Sequence, residues 1–227
     1  ITTLQHIVHH GPIIFNFTGW LKFSSYVPRG YGLASVHTQL TGKLDKKMSE
    51  IYAGKPSYDI NTMLDFHGHT VTTVKSMPLI TQIGSGILKW QGLNATINID
   101  KDVKKIAATM LMPLLEYSAQ IQPGSDTETI HISSFKIDLN KVTADGSTTM
   151  GIGLGAVKIL NQSYEELSLT NATLDFNNKI ISNIESIDFK TAFNKLKLHS
   201  HDIGPFAFNL KMTNINSAAL MVVMQDP

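Results

Sequence analysis

Apolar and polar residues alternate along most of the chain, and this alternation predicts β-strands. In "TIHISSFKIDLNKV" (129–142) and "LSLTNATLDF" (167–176), most apolar side chains are two positions apart. Successive side chains of a strand point to opposite faces, so this spacing is typical of strands with one apolar and one polar face. The same pattern is present at 57–66, 87–100, 186–200 and 206–212.

Turn-forming residues between these segments favour antiparallel connections. Gln91-Gly92, Asp145-Gly146, Asn177-Asn178 and Gly204-Pro205 are examples. The spacings are short, which favours hairpins over crossover helices. We therefore predict a mainly β fold, at the margin of the α+β class, with a long twisted antiparallel sheet or repeated β-meanders.

Two short helices are predicted to accompany the sheet. Residues 41–54 place three apolar side chains at helical spacing before Gly54, and residues 216–224 form a C-terminal candidate. The segment 104–121 has Pro113 near its centre, which would break a helix and suits a strand only at an edge or a bulge. We predict two short strands around this proline.

Length and composition are those of a folded domain. Of the 227 residues, 42% are hydrophobic and 16% are charged, which supports a core and argues against disorder. We assign residues 1–227 to a single β-rich domain. Two short patterns recur, at 84–90 and 153–159 and again at 94–99 and 171–176. A construction from two similar halves meeting near 122–128 therefore stays open.

Charge and cysteine content exclude several classes of function. The net charge is +1 and Arg29 is the only arginine, so we expect no nucleic-acid partner. The chain has no cysteine, which removes disulfides, zinc-cysteine sites and thiol nucleophiles. It contains no run of about 18 apolar residues. Because it starts at Ile1, we expect membrane contact only through an N-terminal anchor that has been removed.

Catalytic and nucleotide-binding motifs are absent. The chain has no Gly-x-Ser-x-Gly motif. "GIGLG" (151–155) lacks the further glycine and the following helix of a dinucleotide-binding loop, and the alternation continues through it. We expect a protein that is not an enzyme, with no cofactor and no catalytic residue. Its ligand-binding residues are unknown.

Histidines form the main candidate metal sites. In "HIVHHGPI" (6–13), three imidazoles could hold Zn²⁺ or Cu²⁺, although Gly11-Pro12 favours a simple turn into the first strand. In "DFHGH", Asp65, His67 and His69 would share one strand face and form a metal site, with solvent exposure as the alternative.

A second histidine pair repeats this spacing. His199 and His201 follow Lys195 and Lys197, whose charges repel a cation. Both pairs could act together if their strands were neighbours.

The order of several motifs resembles the bacterial YdgA family of envelope proteins, whose domain has no known function. These motifs are "HHGPI" (9–13), "GLASVHTQL" (32–40), "DINTMLDFHG" (59–68), "GILKWQGLNATINI" (86–99), "GLGAVKI" (153–159) and "FNLKMTNINSAAL" (208–220). The resemblance implies a β-rich periplasmic or secreted protein, tethered to the inner membrane if a removed N-terminal segment is an anchor. It implies no catalytic or binding residues.

Three functions follow from these observations. The first is an envelope interaction or scaffold module that binds a protein partner or itself, for example as a homodimer, through sheet edges. The second is a carrier or sensor of an apolar, lipid-like ligand, supported by an apolar run at 110–115 and by the room that "GIGLG" leaves on one face. The third is metal binding through Asp65, His67 and His69.

Overall fold

The computed structural model of the chain describes residues 2–10, 32–42, 57–120, 126–143, 146–161, 164–182 and 184–216. These residues form one antiparallel sheet of 15 strands and contain no helix. The prediction of a mainly β fold with a long antiparallel sheet is therefore confirmed. In the described part of the chain, no helix has the length and apolar character to span a bilayer.

The strands account for every segment in which the sequence alternates. The first eight are β1 (Thr2–His10), β2 (Ala34–Gly42), β3 (Tyr58–Leu64), β4 (Thr70–Ser76), β5 (Leu79–Ile83), β6 (Gly86–Trp90), β7 (Leu93–Ile99) and β8 (Lys105–Gln120). The others are β9 (Thr127–Val142), β10 (Ser147–Asn161), β11 (Tyr164–Ile181), β12 (Ile184–Phe193), β13 (Lys195–Leu198), β14 (His201–Ile203) and β15 (Phe206–Asn216).

The predicted helices lie almost wholly outside the described residues. The first would begin within the end of β2, and residues 43–54 are not among those described. The second would begin at Asn216, the last residue of β15, and residues 217–224 are also outside. The hypothesis of two similar halves meeting near 122–128 stays a prediction.

The strands follow one another across the sheet as a meander. The main path is β1-β2-β3-β4-β7-β8-β9-β10-β11-β12-β15, while β5 pairs with β6, β6 with β8, β11 with β13 and β13 with β14. One unbroken register includes both the β4–β7 pair Ser76–Leu93 and the β5–β6 pair Leu79–Trp90. Strands β4 and β5 therefore follow each other end to end and occupy one position across the sheet, which we call a line. The same holds for β6 and β7, for β12 and β13, and for β14 and β15.

One transverse row of residues interrupts the sheet. We call it the break row, and it comprises Met77, Gly92, Pro113, Ser134, Gly155, Asn171, Asn194 and Pro205. The ladders keep the same register on both sides of the row, but pairs such as Pro113–Ser134 and Gly155–Asn171 are missing from them. The break row separates a wide segment, crossed by the main path, from a narrow segment formed by β5, β6, β13, β14 and the adjoining halves of β8–β11.

Strand β8 corrects the prediction of two short strands around Pro113. It is a single strand of 16 residues. Pro113 lies in the break row, where β8 changes its partner from β7 to β6. The missing N–H of the proline therefore costs no ladder hydrogen bond, which is the condition under which a sheet accepts proline.

Left-handed backbone conformations mark the break row in alternate lines. The φ angles are 90° at Gly92, 53° at Ser134, 50° at Asn171 and, beside Pro205, 121° at Gly204. All four lie in lines that run from the narrow to the wide segment. Like a bulge residue, each of these residues exchanges the faces of the sheet to which the following even-numbered and odd-numbered side chains point.

The change of direction keeps most apolar side chains on one side of the sheet, although Ile80, Ile87 and Leu111 lie on the other. On β8 the apolar positions are even-numbered before Pro113, as at Met112, and odd-numbered after it, as at Leu115. Trp90, on the apolar side of the narrow segment, donates from Nε1 to Ser76 Oγ of the wide segment over 3.0 Å. The apolar sides of the two segments are thus continuous. We call this side the apolar face and the opposite side the polar face.

Candidate functional site

The apolar face has no cover among the described residues. No large apolar side chain in this part of the chain is buried, and the fully buried side chains there are His37 and Ser35, both on the polar face. With strands about 4.8 Å apart and a rise of about 3.3 Å per residue, eight lines about 14 residues long span roughly 1,500 Å². The largest apolar patch of a typical monomer is only about 300–600 Å².

The apolar face is most open along β15. On this strand Phe206 and Phe208 are each 46% exposed, Leu210 is 43% exposed and Met212 is 40% exposed. Their inner neighbours are aromatic as well, since Phe206 stacks on Phe193 with ring centroids 5.3 Å apart. The face therefore ends in an aromatic border.

The predicted metal-binding residues lie in a turn and not on a strand face. Strand β3 ends at Leu64, and residues 65–69 connect it to β4. Asp65 Oδ1 accepts hydrogen bonds from the backbone N–H groups of His67 and His69, both at 2.8 Å. Asp65 Oδ2 lies 3.0 Å from His69 Nδ1. The expected arrangement on one strand face is wrong, because the carboxylate closes a hairpin turn that Gly68 completes with a φ of 85°.

The electrostatics of this turn follow from the same contacts. Desolvation raises the pKa of Asp65. Hydrogen bonds from the backbone and side chain of His69 and from the backbone of His67 outweigh it and hold this pKa below its ordinary value. Within the described residues, no three His, Asp or Glu side chains are grouped so that they could hold a metal ion. Metal binding by Asp65, His67 and His69 stays a prediction.

The other histidines are placed apart from this turn. His199 is in the β13–β14 turn, in the narrow segment, so the two histidine pairs lie at opposite ends of the sheet. In the opening cluster, the backbone from His6 to His10 belongs to β1, and His6 Nδ1 lies 2.8 Å from Thr38 Oγ1 of β2. Residues 11–13 are outside the described part of the chain, so the predicted turn is not tested.

The polar face of the narrow segment carries a row of paired charges. Glu116 Oε1 lies 2.6 Å from Lys89 Nζ, and Glu116 Oε2 lies 3.5 Å from His131 Nδ1. The hydrogen bond with Lys89 lowers the pKa of Glu116 most, desolvation opposes it, and His131 lowers it further. In the same segment Lys195 Nζ lies 2.7 Å from Asp202 Oδ2.

A buried polar cluster on β2 and β3 is not evident from the sequence. His37 is 1% exposed, and its Nδ1 lies 2.6 Å from Asn61 Oδ1. Asn61 Nδ2 donates to Asp59 Oδ1 at 2.9 Å. These residues belong to neighbouring strands and share the polar face, which only the register of the strands reveals.

A polar trough crosses the wide segment on the polar face. Its main part has a volume of about 600 Å³, and a continuation of about 500 Å³ shares Lys105 and Ala107 with it. The continuation reaches Asp65 and His69. Polar-face side chains that line the main part include Asp138, Asn140, Thr149, Asp175, Asn177 and Asp188.

Glycines open the floor of this trough. Gly151 pairs with Asp138 on one side and Asp175 on the other, and Gly153 follows on the same face of β10. The room that "GIGLG" leaves is therefore on the polar face, not beside the apolar residues 110–115. This placement removes the glycines as support for an apolar ligand.

Comparison with known proteins gives one match. A family model described as "Bacterial protein of unknown function (DUF945)" matches residues 2–225. Neither a curated protein nor a solved structure matches the chain. The predicted resemblance to a bacterial family of unknown function is confirmed at this level.

Proposed function

Because the chain belongs to DUF945, a bacterial family of unknown function, we propose from its geometry that it is a non-enzymatic interaction module that docks a protein partner on its apolar face. The single observation that carries this proposal is the absence of buried large apolar side chains in the described part of the sheet. A stable sheet buries its apolar face against another layer.

The size of the face favours a protein partner. A standard interface buries about 800 Å² on each partner. Roughly 1,500 Å² of sheet face exceeds this area, so a protein surface can use it fully. Two sheets that pack face to face lie about 10 Å apart with their side chains interdigitated, which leaves no gap to fill.

A second copy of the chain is the partner we propose. Along the wide segment, the centre of the apolar face carries Ile137, Met150, Phe176 and Phe189, with no charge among them. Two such faces meet without electrostatic repulsion, and a two-fold axis makes the same surface serve both copies.

The test uses two neighbouring residues of β10 that point to opposite faces. Met150→Lys places a charge on the apolar face, and Thr149→Lys places the same charge on the polar face. Native mass spectrometry over a concentration series should show a dimer for the wild type and for Thr149→Lys, and a monomer for Met150→Lys. Circular dichroism checks that both variants fold. A wild type that is monomeric at every concentration contradicts the proposal.

A carrier or sensor of an apolar, lipid-like ligand is the second candidate. It is favoured by the aromatic border at Phe206 and Phe208 and by Met212 beside it, because methionine and aromatic side chains adapt to irregular apolar ligands. The same native spectra distinguish it. An added mass that matches an acyl lipid, lost on delipidation, supports the carrier, and a bare dimer supports the interaction module.

We further propose that the protein is a YdgA-like envelope protein of the periplasm, anchored to the inner membrane or secreted. The order of sequence motifs from "HHGPI" (9–13) to "FNLKMTNINSAAL" (208–220) supports this assignment. Fractionation of the native host with an antibody to the chain tests it. Recovery with the cytosol contradicts it.

A further inference from the structure

The polar trough has side chains that no internal contact uses. In the described part of the chain, the side chains of Asn140, Asp175 and Asn177 make no hydrogen bond or ion pair. Asp188 Oδ1 is buried without a hydrogen-bond partner, although Oδ2 of the same carboxylate lies 3.1 Å from Lys190 Nζ. A buried acceptor without a partner costs free energy unless a ligand or water satisfies it.

The shape of the trough suits an extended ligand. It crosses seven strand lines from β4 to β12, which at about 4.8 Å per strand is roughly 29 Å. At Gly151 no side chain rises from the sheet, and Asp175 Oδ1 lies 3.2 Å from the position that a Cβ would occupy there. A chain-like molecule can therefore lie across the strands in contact with the sheet.

The lining of the trough mixes hydrogen-bond donors and acceptors. Carboxylates accept, lysines donate, and amides and hydroxyls do both, so Asp175 can accept from ligand hydroxyls, while Asn177 and Thr149 can both donate to them and accept from them. Phosphate-rich polymers are disfavoured by five carboxylates, three in the main part and two in the continuation, and by the absence of arginine from the lining. Apolar ligands are disfavoured because they would leave these polar groups without hydrogen-bond partners.

We propose that the polar trough binds an extended neutral glycan, lying across strands β4 to β12 on the face opposite the docking surface. Direct hydrogen bonds come from Asn140, Asp175 and Asn177. Affinity grows with the number of sugar units until the trough is filled. A protein strand, in contrast, would pair its backbone with a sheet edge.

Calorimetric titration of the full chain with chitohexaose, cellohexaose and maltohexaose, and with the corresponding disaccharides, tests the proposal. We expect at least one hexasaccharide to bind and its disaccharide to bind at least about tenfold more weakly. Asn177→Ala and Thr149→Lys should each weaken the binding by about tenfold or more, because one removes a ligand contact and the other fills the trough.

Ile137→Lys, on the apolar face and outside the lining of the trough, is the matched control and should leave glycan binding unchanged, even though it disrupts the dimer. The proposal is contradicted if none of the three hexasaccharides binds at millimolar concentration, or if Asn177→Ala binds as well as the wild type. Tighter binding of a cationic peptide at the same residues would also overturn it. Because the two lysine variants separate the faces, loss of the dimer and loss of glycan binding are distinguishable.

Discussion

The polar faces of the two sheet segments carry similar side chains and use them differently. In the narrow segment, Glu116 is held by Lys89 at 2.6 Å and by His131 at 3.5 Å. In the wide segment, Asp138 Oδ2 and Asp188 Oδ2 also lie 2.7 Å and 3.1 Å from the Nζ atoms of Lys136 and Lys190, but Asp175 and Asn177 have no such partner in the described part of the chain. Polar groups that satisfy one another stabilise the sheet, and those that do not are available to a ligand. This difference separates a structural surface from a candidate binding surface.

The apolar sides of the two segments differ in sequence pattern but serve as one surface. Along each line of strands, the apolar positions change between even and odd residue numbers at the break row. Because this change occurs at the same row in every line, the apolar side chains of the two segments form one face. The break row is therefore the feature on which the proposed docking surface depends. Changes there test the continuity of the apolar face, and changes on the polar faces test the contrast between paired and free groups.

The largest effect is expected at Gly155. A Cβ at this position would lie 2.7 Å from Ser134 Cβ, so Gly155→Ala should lower the free energy of unfolding by about 2–3 kcal/mol. Gly153 is the control, since a Cβ there would meet Lys136 Cβ at an ordinary 3.9 Å. Gly153→Ala should change stability by less than about 0.5 kcal/mol or increase it slightly. Urea unfolding of both variants measures the difference, and equal effects would contradict the role of the break row.

A smaller effect is expected at Asn171. Its φ of 50° is costly for β-branched residues, so Asn171→Val should lower the free energy of unfolding by about 1–2 kcal/mol. Asn171→Gly should be neutral or stabilising, because glycine adopts this conformation without a steric penalty. Thermal and urea unfolding measure both variants. If valine is tolerated as well as glycine, the left-handed conformation is not required.

The paired charges predict an acid-dependent contribution to stability. The pKa of Glu116 is below its ordinary value of 4.5, so its contribution is present above that pH and is lost as the pH falls through the lower, folded-state value. Glu116→Gln should cost about 0.5–1 kcal/mol at pH 7 and nothing once the wild-type carboxyl is protonated. Urea unfolding from pH 7 to pH 3 measures this.

Asp175→Asn serves as the comparison for Glu116→Gln. Asp175 has no ion-pair partner among the described residues, so its replacement should leave stability at pH 7 nearly unchanged. A cost as large as that of Glu116→Gln would remove the contrast between the two polar faces.

The smallest effect concerns the histidine turn. If the role of Asp65 is only to close the β3–β4 turn, the two imidazoles hold no metal ion, and replacing His67 and His69 by alanine should leave the affinity for Zn²⁺ and Cu²⁺ unchanged. The turn itself should persist, because both backbone N–H groups that donate to Asp65 remain. Asp65→Ala, in contrast, should lower stability slightly, because it removes the acceptor that closes the turn. Loss of tight metal binding in the histidine variant would instead support the predicted metal site.

Alternation along the chain was sufficient to predict the antiparallel sheet and many of its strands, although β1, β2, β4 and β5 lie outside the segments in which we predicted strands. It could not predict that β8 is a single strand, because the acceptability of Pro113 depends on where two partner strands meet. A signal for the break row is nevertheless present in the sequence. Apolar positions on either side of it are three apart and not two, as at Met112 and Leu115 or at Leu154 and Val157.

The polar trough was beyond prediction for a different reason. Asp138, Gly151, Asp175 and Lys190 come from four strands, and only the register places them in one row. The same holds for His37 and Asn61, which are far apart in sequence. By contrast, Asp65, His67 and His69 are close in sequence, and only the expectation that they share a strand face was wrong, because residues 65–69 form a turn.

The central claim is that the apolar face continues across the break row, and single-cysteine labelling tests it most directly. The chain has no cysteine of its own, so Met112→Cys, Leu114→Cys and Leu115→Cys can each carry one environment-sensitive fluorophore. We predict blue-shifted, apolar emission at positions 112 and 115 and aqueous emission at position 114. Apolar emission at 112 and 114 with aqueous emission at 115 would show that the alternation continues through Pro113, and would contradict a continuous apolar face.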